Sequence, residues 1–191
     1  MGAGTQALVF LLQVIFGLMT FIFILRFLMR AMHVDWRLPV VHMVARLTNW
    51  ACAPLGKLLP VKGRWDWSAL VAAFFSQLAY VLLISLISAR AYSAGAMGLF
   101  ALAETLNVLL DTLFWLIIIQ VILSWIQPAY NPNLVIFQQL VEPILARFRQ
   151  FIPPIAGLDL SPIVAIVVIK LAQILLVGPI AAAASTALMG M

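Results

Sequence analysis

Four long apolar stretches constrain the fold of this chain more than any other feature of its sequence. They run approximately over residues 6–29, 68–88, 106–126 and 162–184. About 20 apolar residues with a rise of 1.5 Å each can cross a hydrocarbon core about 30 Å thick, so each stretch is long enough to span a membrane. Only 9% of the residues are charged, against roughly 25% in soluble domains, which excludes a water-soluble globular protein. We therefore predict an all-α polytopic membrane protein with four transmembrane helices.

The distribution of basic residues predicts the orientation of these helices. With four spans, the connections 30–67 and 127–159 lie on the same side of the membrane, and nine of the eleven Lys and Arg residues lie in or beside them. The positive-inside rule therefore places both connections in the cytoplasm and both termini outside. A basic group in these connections is predicted to face anionic lipid: Arg37, Arg46, Lys57, Lys62, Arg64, Arg147 and Arg149.

The chain contains an internal repeat with an offset of 93 residues. The pattern P-x5-D-x-S occurs twice, at Pro60, Asp66 and Ser68 and again at Pro153, Asp159 and Ser161. The repeat predicts two parallel units, residues 1–96 and 97–191, each consisting of a span, an amphipathic surface helix and a second span. Asp and Ser at these positions are typical of helix N-termini. The alternative is a partner or ion site formed by the two aspartates.

Between the two spans of each repeat lies a segment that is helical in pattern but too polar to cross a membrane. In residues 39–53 and 133–152, apolar side chains recur at helical spacing opposite polar ones, which predicts two amphipathic helices. Pro143 interrupts the second segment, and we expect a kink or a helix restart there. We expect both helices to lie flat on the inner leaflet. A re-entrant hairpin is the alternative.

Several short motifs resemble those of the YggT family of bacterial membrane proteins. They are Asp159-Leu160-Ser161-Pro162, the run Glu142-Pro143-Ile144-Leu145 ahead of Arg147 and Arg149, and Ile122-Leu123-Ser124-Trp125 at the end of the third span. Together with the doubled architecture, the resemblance covers nearly the whole chain. It implies a multi-pass protein of the bacterial plasma (inner) membrane and a link to osmotic or ion homeostasis, while plastid relatives are associated with membrane-complex assembly and with nucleoid or division organisation. It implies no agreed biochemical activity.

No catalytic or cofactor motif supports an enzyme. The chain lacks the G-x-x-x-x-G-K-[ST], H-E-x-x-H, C-x-x-C and G-x-S-x-G patterns. Its longest predicted extramembrane piece is too short to form a catalytic domain alone. His33 and His42 have no counterparts in the second repeat, so we interpret them as interfacial residues rather than as metal or haem ligands. We expect no enzyme activity, no cofactor, no metal and no nucleic-acid contact.

Polar residues inside the spans form a candidate intramembrane polar group. Its members are Glu104, Asn107, Asp111, Gln120, Lys170 and Gln77, the last being the positional match of Lys170 in the first repeat. Charged groups at such depth cost roughly 2.5–3.5 kcal/mol on insertion scales, so they normally find partners. We predict that Lys170 pairs with Asp111 and holds two helices in register. The alternative is a polar path for a cation or proton.

Two functions are consistent with these features. The first is a non-enzymatic membrane scaffold or assembly factor, acting in osmotic or cell-envelope homeostasis. Its partners would be the lipid bilayer, anionic lipids, and other membrane proteins or further copies of the chain. The alternative is a small ion channel or transporter component, in which Glu104, Asp111 and Lys170 line a route.

Overall fold

The structure is a helical bundle in which each predicted repeat contributes two long helices and one shorter helix. The computed structural model describes residues 2–59, 65–88, 92–126, 134–151 and 159–189, and these contain helices and turns but no β-strand. The helices are α1 (Ala3–Ala31), α2 (Pro39–Leu58), α3 (Trp67–Ser88), α4 (Ala94–Ile126), α5 (Val135–Arg149), α6 (Ser161–Ala172) and α7 (Gly178–Met189). A π-helical segment, Gln173–Val177, joins α6 and α7 into one continuous helix.

Four helices have the length and composition of membrane spans, as predicted. They are Ala3–Ala31, Trp67–Ser88, Ala94–Ile126 and Ser161–Ala187. The fold class, an all-α polytopic membrane protein, is therefore confirmed.

The third span begins earlier than the sequence predicted. We predicted a span from about residue 106 to residue 126, but α4 begins at Ala94. The segment ahead of Glu104 is rich in Ala, Leu and Met, which favour helix. Ser93 caps this earlier start, since its hydroxyl oxygen accepts a hydrogen bond from the Ala96 N–H at 3.2 Å. A helix of 33 residues is about 50 Å long, so it must tilt or project beyond the hydrocarbon core.

The helices pack in pairs that follow the repeat, and α4 lies at the centre. In the first half α1 packs against α3, and in the second half α4 packs against α6, the π segment and α7. The halves join because α4 also packs against α1 and α3. Small buried side chains allow this close approach of the spans: Ala69, Ala72, Ala73, Ala101, Ala103 and Ala165. Among the described residues, α6 and α7 form no comparably extended contact with α1 or α3.

The two shorter helices, α2 and α5, each lie against the pair of spans that they connect. Each is one continuous helix, with Pro54 inside α2 and Pro143 inside α5. The expected helix restart at Pro143 is therefore absent, and α2 extends past residue 53, where we predicted its end, to Leu58. A single helix is not the hairpin of the re-entrant alternative. Residues 133 and 152 of the predicted second segment lie outside the described residues.

The apolar residues of α2 do not all have the same surroundings. A buried stripe of Val44, Thr48 and Cys52 packs on the bundle, while the apolar Leu47 is exposed. Thr48 is buried because its hydroxyl donates to the Val44 carbonyl oxygen at 2.7 Å, so the helix itself satisfies the polar group. Apolar residues of α2 thus divide between the bundle and an outward flank.

Candidate functional site

The first P-x5-D-x-S turn forms a buried ion pair at the N-terminus of α3. The Asp66 side chain is only 1% exposed, and its Oδ2 lies 3.1 Å from Arg26 Nε of α1. Its other oxygen, Oδ1, accepts hydrogen bonds from the Ser68 hydroxyl at 2.5 Å and from the Ala69 N–H at 3.3 Å. Asp66 therefore caps the N-terminus of α3, while Ser68 supports the cap by donating to the carboxylate rather than by accepting a backbone N–H. Pro60 lies outside the described residues.

Electrostatics at this turn keep Asp66 ionised. Burial alone raises the pKa of the Asp66 carboxyl, but hydrogen bonds from Ser68 and Arg26, together with the Arg26 charge, outweigh it. The pKa of Asp66 therefore lies below its ordinary value. Because the folded state lowers this pKa, the pair contributes stability at neutral pH that is lost as the pH falls through the lowered pKa.

Arg26 joins three helices at one point. Besides Asp66 at the start of α3, its Nη1 donates to Thr48 Oγ1 at 2.8 Å and to Asn49 Oδ1 at 2.7 Å, both on α2. The guanidinium therefore connects α1 to both α2 and α3. Sequence reasoning counted Arg26 only as a topological charge. A possible signal was its position within an apolar helix, where an arginine needs a partner.

The second turn also pairs its aspartate with an arginine, but the arginine comes from a different helix and the serine donates its backbone N–H rather than its hydroxyl. Asp159 Oδ2 lies 2.7 Å from Arg149 Nε of α5, and Asp159 Oδ1 accepts the Ser161 N–H at 2.9 Å. Arg149 also pairs with Glu142 on α5. Glu142 is the positional match of Asn49, 93 residues earlier, so both copies place an acceptor of the surface helix against the arginine. The position matching Arg26 is Ile119.

This second pair is more accessible to solvent than the first. The Arg149 and Asp159 side chains are 38% and 35% exposed. Burial raises the pKa of Asp159, but hydrogen bonds from Ser161 and Arg149 outweigh it, so this pKa also lies below its ordinary value. Pro153 lies outside the described residues.

The predicted basic group divides into exposed and paired residues. Arg37, Arg46, Lys57 and Arg147 are exposed. Arg149 is paired with two carboxylates, so less of its charge is available to lipid than its sequence context suggested. Lys62 and Arg64 lie outside the described residues.

Between α4 and α6, Lys170 and Asp111 come together as the sequence predicted. Lys170 Nζ lies 3.3 Å from Asp111 Oδ1 and donates to Gln173 Oε1 at 2.7 Å. Gln173 Nε2 in turn donates to Asp111 Oδ1 at 2.8 Å and to Asn107 Oδ1 at 3.0 Å. The Lys170 ammonium also lies over the Phe114 ring, 4.3 Å from its centroid. We call Asn107, Asp111, Lys170 and Gln173 the polar cluster.

The remaining residues of the candidate polar group lie elsewhere. Gln77 is buried between α3 and α1, where its Nε2 donates to Thr20 Oγ1 at 2.9 Å. Glu104 and Gln120 are half-buried on α4 and form no described hydrogen bond with the polar cluster, although the Glu104 carboxyl interacts electrostatically with Asp111. A Lys, Asp and amide cluster is not a set of metal ligands, and the described residues contain no group of three His, Cys, Asp or Glu side chains able to hold a metal.

The polar cluster has an outward-facing side. The side chains of Lys170 and Asp111 are 45% and 43% exposed in the single chain. The π segment begins at Gln173, so the cluster lies where the fourth span departs from α-helical geometry, a departure that is frequent at functional sites.

Comparisons with known proteins place this geometry in context. A protein-family model described as CCB3/YggT matches residues 5–87 and 99–180, one segment in each predicted repeat. An uncharacterized protein of Pseudomonas aeruginosa is 33% identical over 184 residues, which cover 95% of this chain and 93% of the relative. The uncharacterized protein YggT of Escherichia coli K12 is 26% identical over 164 residues, 86% of each chain. No solved structure matches. The repeat boundary near residue 96 stays a prediction.

Proposed function

This chain belongs to the CCB3/YggT family, and from that premise we propose that it is a non-enzymatic membrane scaffold or assembly factor in osmotic or cell-envelope homeostasis. The observation that carries the proposal is the half-exposed Lys170–Asp111 pair on the outer surface of the bundle. A scaffold works by binding other membrane-spanning chains. Two opposite charges exposed at membrane depth are better covered by a polar or charged group of a partner protein than by lipid.

The depth of the polar cluster makes exposure to lipid costly. Lys170 is nine residues past Ser161, about 14 Å into a helix that rises 1.5 Å per residue. Asp111 lies near the middle of the 33-residue α4. Charges at this depth cost roughly 2.5–3.5 kcal/mol on insertion scales. Their mutual ion pair reduces this cost but leaves nearly half of each side chain uncovered, so a covering protein surface lowers the free energy further.

A second copy of the chain fits this surface. It would present the same cation and anion, so a twofold arrangement places Lys170 of one protomer against Asp111 of the other. Twofold dimers are the commonest symmetric oligomers. Exposed apolar side chains at helical spacing flank Lys170, namely Ile163, Val167 and Ile174, and they supply the packing that drives association of spans.

Site-directed crosslinking tests this interface. In a chain in which Cys52 is replaced by alanine, Ile174→Cys should give a crosslinked dimer in native membranes. Leu11→Cys, an equally exposed position on α1, is the matched control and should give none. The double variant Asp111→Leu/Lys170→Met presents an apolar face, so dimerisation should weaken and the gene should no longer restore growth of a deletion strain after osmotic shift. Equal crosslinking at both positions, or none at either, would contradict the interface.

A second candidate is a component of a cation path. Glu104, Asn107 and Asp111 lie at i, i+3 and i+7 along α4, which is the observation that favours it. Cation flux through liposomes that contain the purified protein, abolished by Lys170→Met, would support this function over the scaffold.

We further propose that α2, α5 and both P-x5-D-x-S turns face the cytoplasm of a bacterial inner membrane. The location of most basic residues in these connections supports this. In the Cys52→Ala chain, Lys57→Cys and Gln138→Cys should react with a membrane-impermeant maleimide only after cells are permeabilised. Ala94→Cys, at the opposite end of α4, should react in intact cells. The reverse pattern would invert the topology.

A further inference from the structure

A cavity of about 360 Å³ lies beside the first turn, between the C-terminal end of α1 and helix α2. It is open on one side, and its size is in the range of small-ligand sites. Its polar lining comes from Arg26, Arg30, His33 and Asp66. The positions 93 residues after Arg26, Arg30 and His33 are Ile119, Leu123 and Ile126. The polar lining therefore belongs to the first repeat alone.

The charges that line the cavity do not balance. Asp66 is the single acidic residue among the described lining residues, against two arginines. The donors of Arg26 are already occupied by hydrogen bonds to Asp66, Thr48 and Asn49. Arg30 Nη1 lies 3.8 Å from Asp66 Oδ2, beyond hydrogen-bond distance, and its side chain is 48% exposed. The Arg30 guanidinium therefore lines the cavity with N–H donors that have no described hydrogen-bond acceptor. This arrangement suits the binding of an anion.

The rest of the wall is apolar. Met29, Val34, Val41 and Val44 line it together with the exposed Trp36. The Trp36 ring stacks on His42, with centroids 6.3 Å apart, so the indole is held at one edge of the cavity. A site with an arginine at one end and hydrocarbon along its sides fits an anion that carries an apolar group, rather than a fully hydrated ion.

His33 occupies a backbone position that normally favours glycine. It lies just after the C-terminus of α1 and has a φ of 56°. Among the described residues other than glycine, it is the one with a positive φ. The Val34 N–H donates to Met29 O and the His33 N–H to Arg30 O, the hydrogen-bond pattern in which glycine is usual. A residue with a side chain is less stable than glycine in this left-handed conformation. The imidazole is thus present at the cavity despite a backbone preference against it.

We propose that this cavity binds the phosphate group of an anionic amphiphile, with Arg30 as the main phosphate ligand and His33 as a second donor. Arginine forks match phosphate oxygens in geometry and charge. Trp36 and the valines contact the apolar part of the ligand. This binding is specific to one site, unlike the general attraction of the exposed basic residues to the membrane surface. A phospholipid and a soluble phosphate ester both carry this chemistry, and the experiment separates them.

Native mass spectrometry of the purified full chain in detergent tests the site. Phosphatidylglycerol should bind, and phosphatidylcholine with the same acyl chains should bind more weakly. Arg30→Gln should weaken phosphatidylglycerol binding about tenfold, the effect of one lost charge-assisted contact. Arg46→Gln, an exposed basic residue of α2 outside the cavity, is the matched control and should change binding little. His33→Gly relieves the backbone and should weaken binding without lowering thermal stability.

Inorganic phosphate distinguishes the two ligand sources. Displacement of bound phosphatidylglycerol by millimolar phosphate would assign the site to small phosphate esters, and resistance to it would assign the site to lipid. Arg30→Lys keeps the positive charge but loses the bidentate geometry of the guanidinium, so it should bind phosphatidylglycerol with intermediate affinity. This variant also tests the site if Arg30→Gln folds poorly. Equal losses in Arg30→Gln and Arg46→Gln, or equal binding of both lipids, would overturn the proposal.

Discussion

Replacing Arg26 with methionine should lower the free energy of unfolding by about 3–5 kcal/mol, the cost of removing the hydrogen-bonded partner of a buried charge. The Asp66 side chain is 1% exposed and would keep its hydrogen bonds from Ser68 and Ala69 and the longer contact with Arg30 at 3.8 Å. The substitution also removes the contacts of Arg26 with Thr48 and Asn49, so α2 loses its polar connection to α1. Unfolding in mixed micelles with increasing denaturing detergent measures the change.

The second repeat supplies a matched control for this prediction. Arg149→Met breaks the equivalent pair, but the Arg149–Asp159 pair is more than one-third exposed. Exposed pairs contribute about 0–1 kcal/mol, so the loss should be several times smaller. Lowering the pH should also reduce the stability of the natural chain more than that of Arg26→Met, because the lowered pKa of Asp66 depends partly on Arg26. Equal losses in the two repeats would contradict the assignment of the buried pair.

The second large effect is expected in the polar cluster. Asp111→Leu should destabilise the folded chain by roughly 2.5–3.5 kcal/mol, because it leaves the Lys170 charge at membrane depth without a carboxylate. Lys170→Met should cost less, since Gln173 Nε2 still donates to Asp111. The double variant Asp111→Leu/Lys170→Met should recover much of the loss of Asp111→Leu, because no unpaired charge remains.

A double-mutant cycle over these three variants measures the coupling directly. Gln120→Leu is the control on the same helix, because Gln120 is uncharged and makes no described contact with the polar cluster. Its combination with Lys170→Met should be additive. If the effects of Asp111→Leu and Lys170→Met also simply add, the two side chains are not coupled, and the polar cluster would not hold α4 and α6 in register.

The features that were predicted correctly from the sequence depend either on a local sequence pattern or on a large energetic penalty. The four spans follow from hydropathy, which is a property of consecutive residues. The Lys170–Asp111 contact followed because a charge at membrane depth requires a partner, and few carboxylates lie at that depth. Gln173 follows Lys170 by three residues, but its hydrogen bonds to Asn107 and Asp111 join segments 66 and 62 residues apart, which no local pattern indicated.

What the sequence did not predict depends on contacts between distant segments. Arg26 and Asp66 are 40 residues apart, and the repeat itself was misleading, because the second copy takes its arginine from α5 rather than from a span. The residues of α2 that pack on the bundle were likewise not predicted. Some apolar residues of α2 pack on the bundle and others lie on its outward flank. Helical periodicity alone cannot tell these two groups apart. The cavity beside Arg30 required the three-dimensional arrangement of α1 and α2.

The different origin of the two arginines has a mechanical consequence. In the first half, the ion pair ties α1 to α2 and to the start of α3, so these three helices cannot change their relative tilt without breaking a buried contact. In the second half, Arg149 ties α5 only to the turn that begins α6, and no described ion pair at this turn connects either helix to α4. The polar cluster, about 14 Å farther along the fourth span, is what ties α6 to α4. The duplicated unit is thus tied together at the turn in one half and near mid-span in the other.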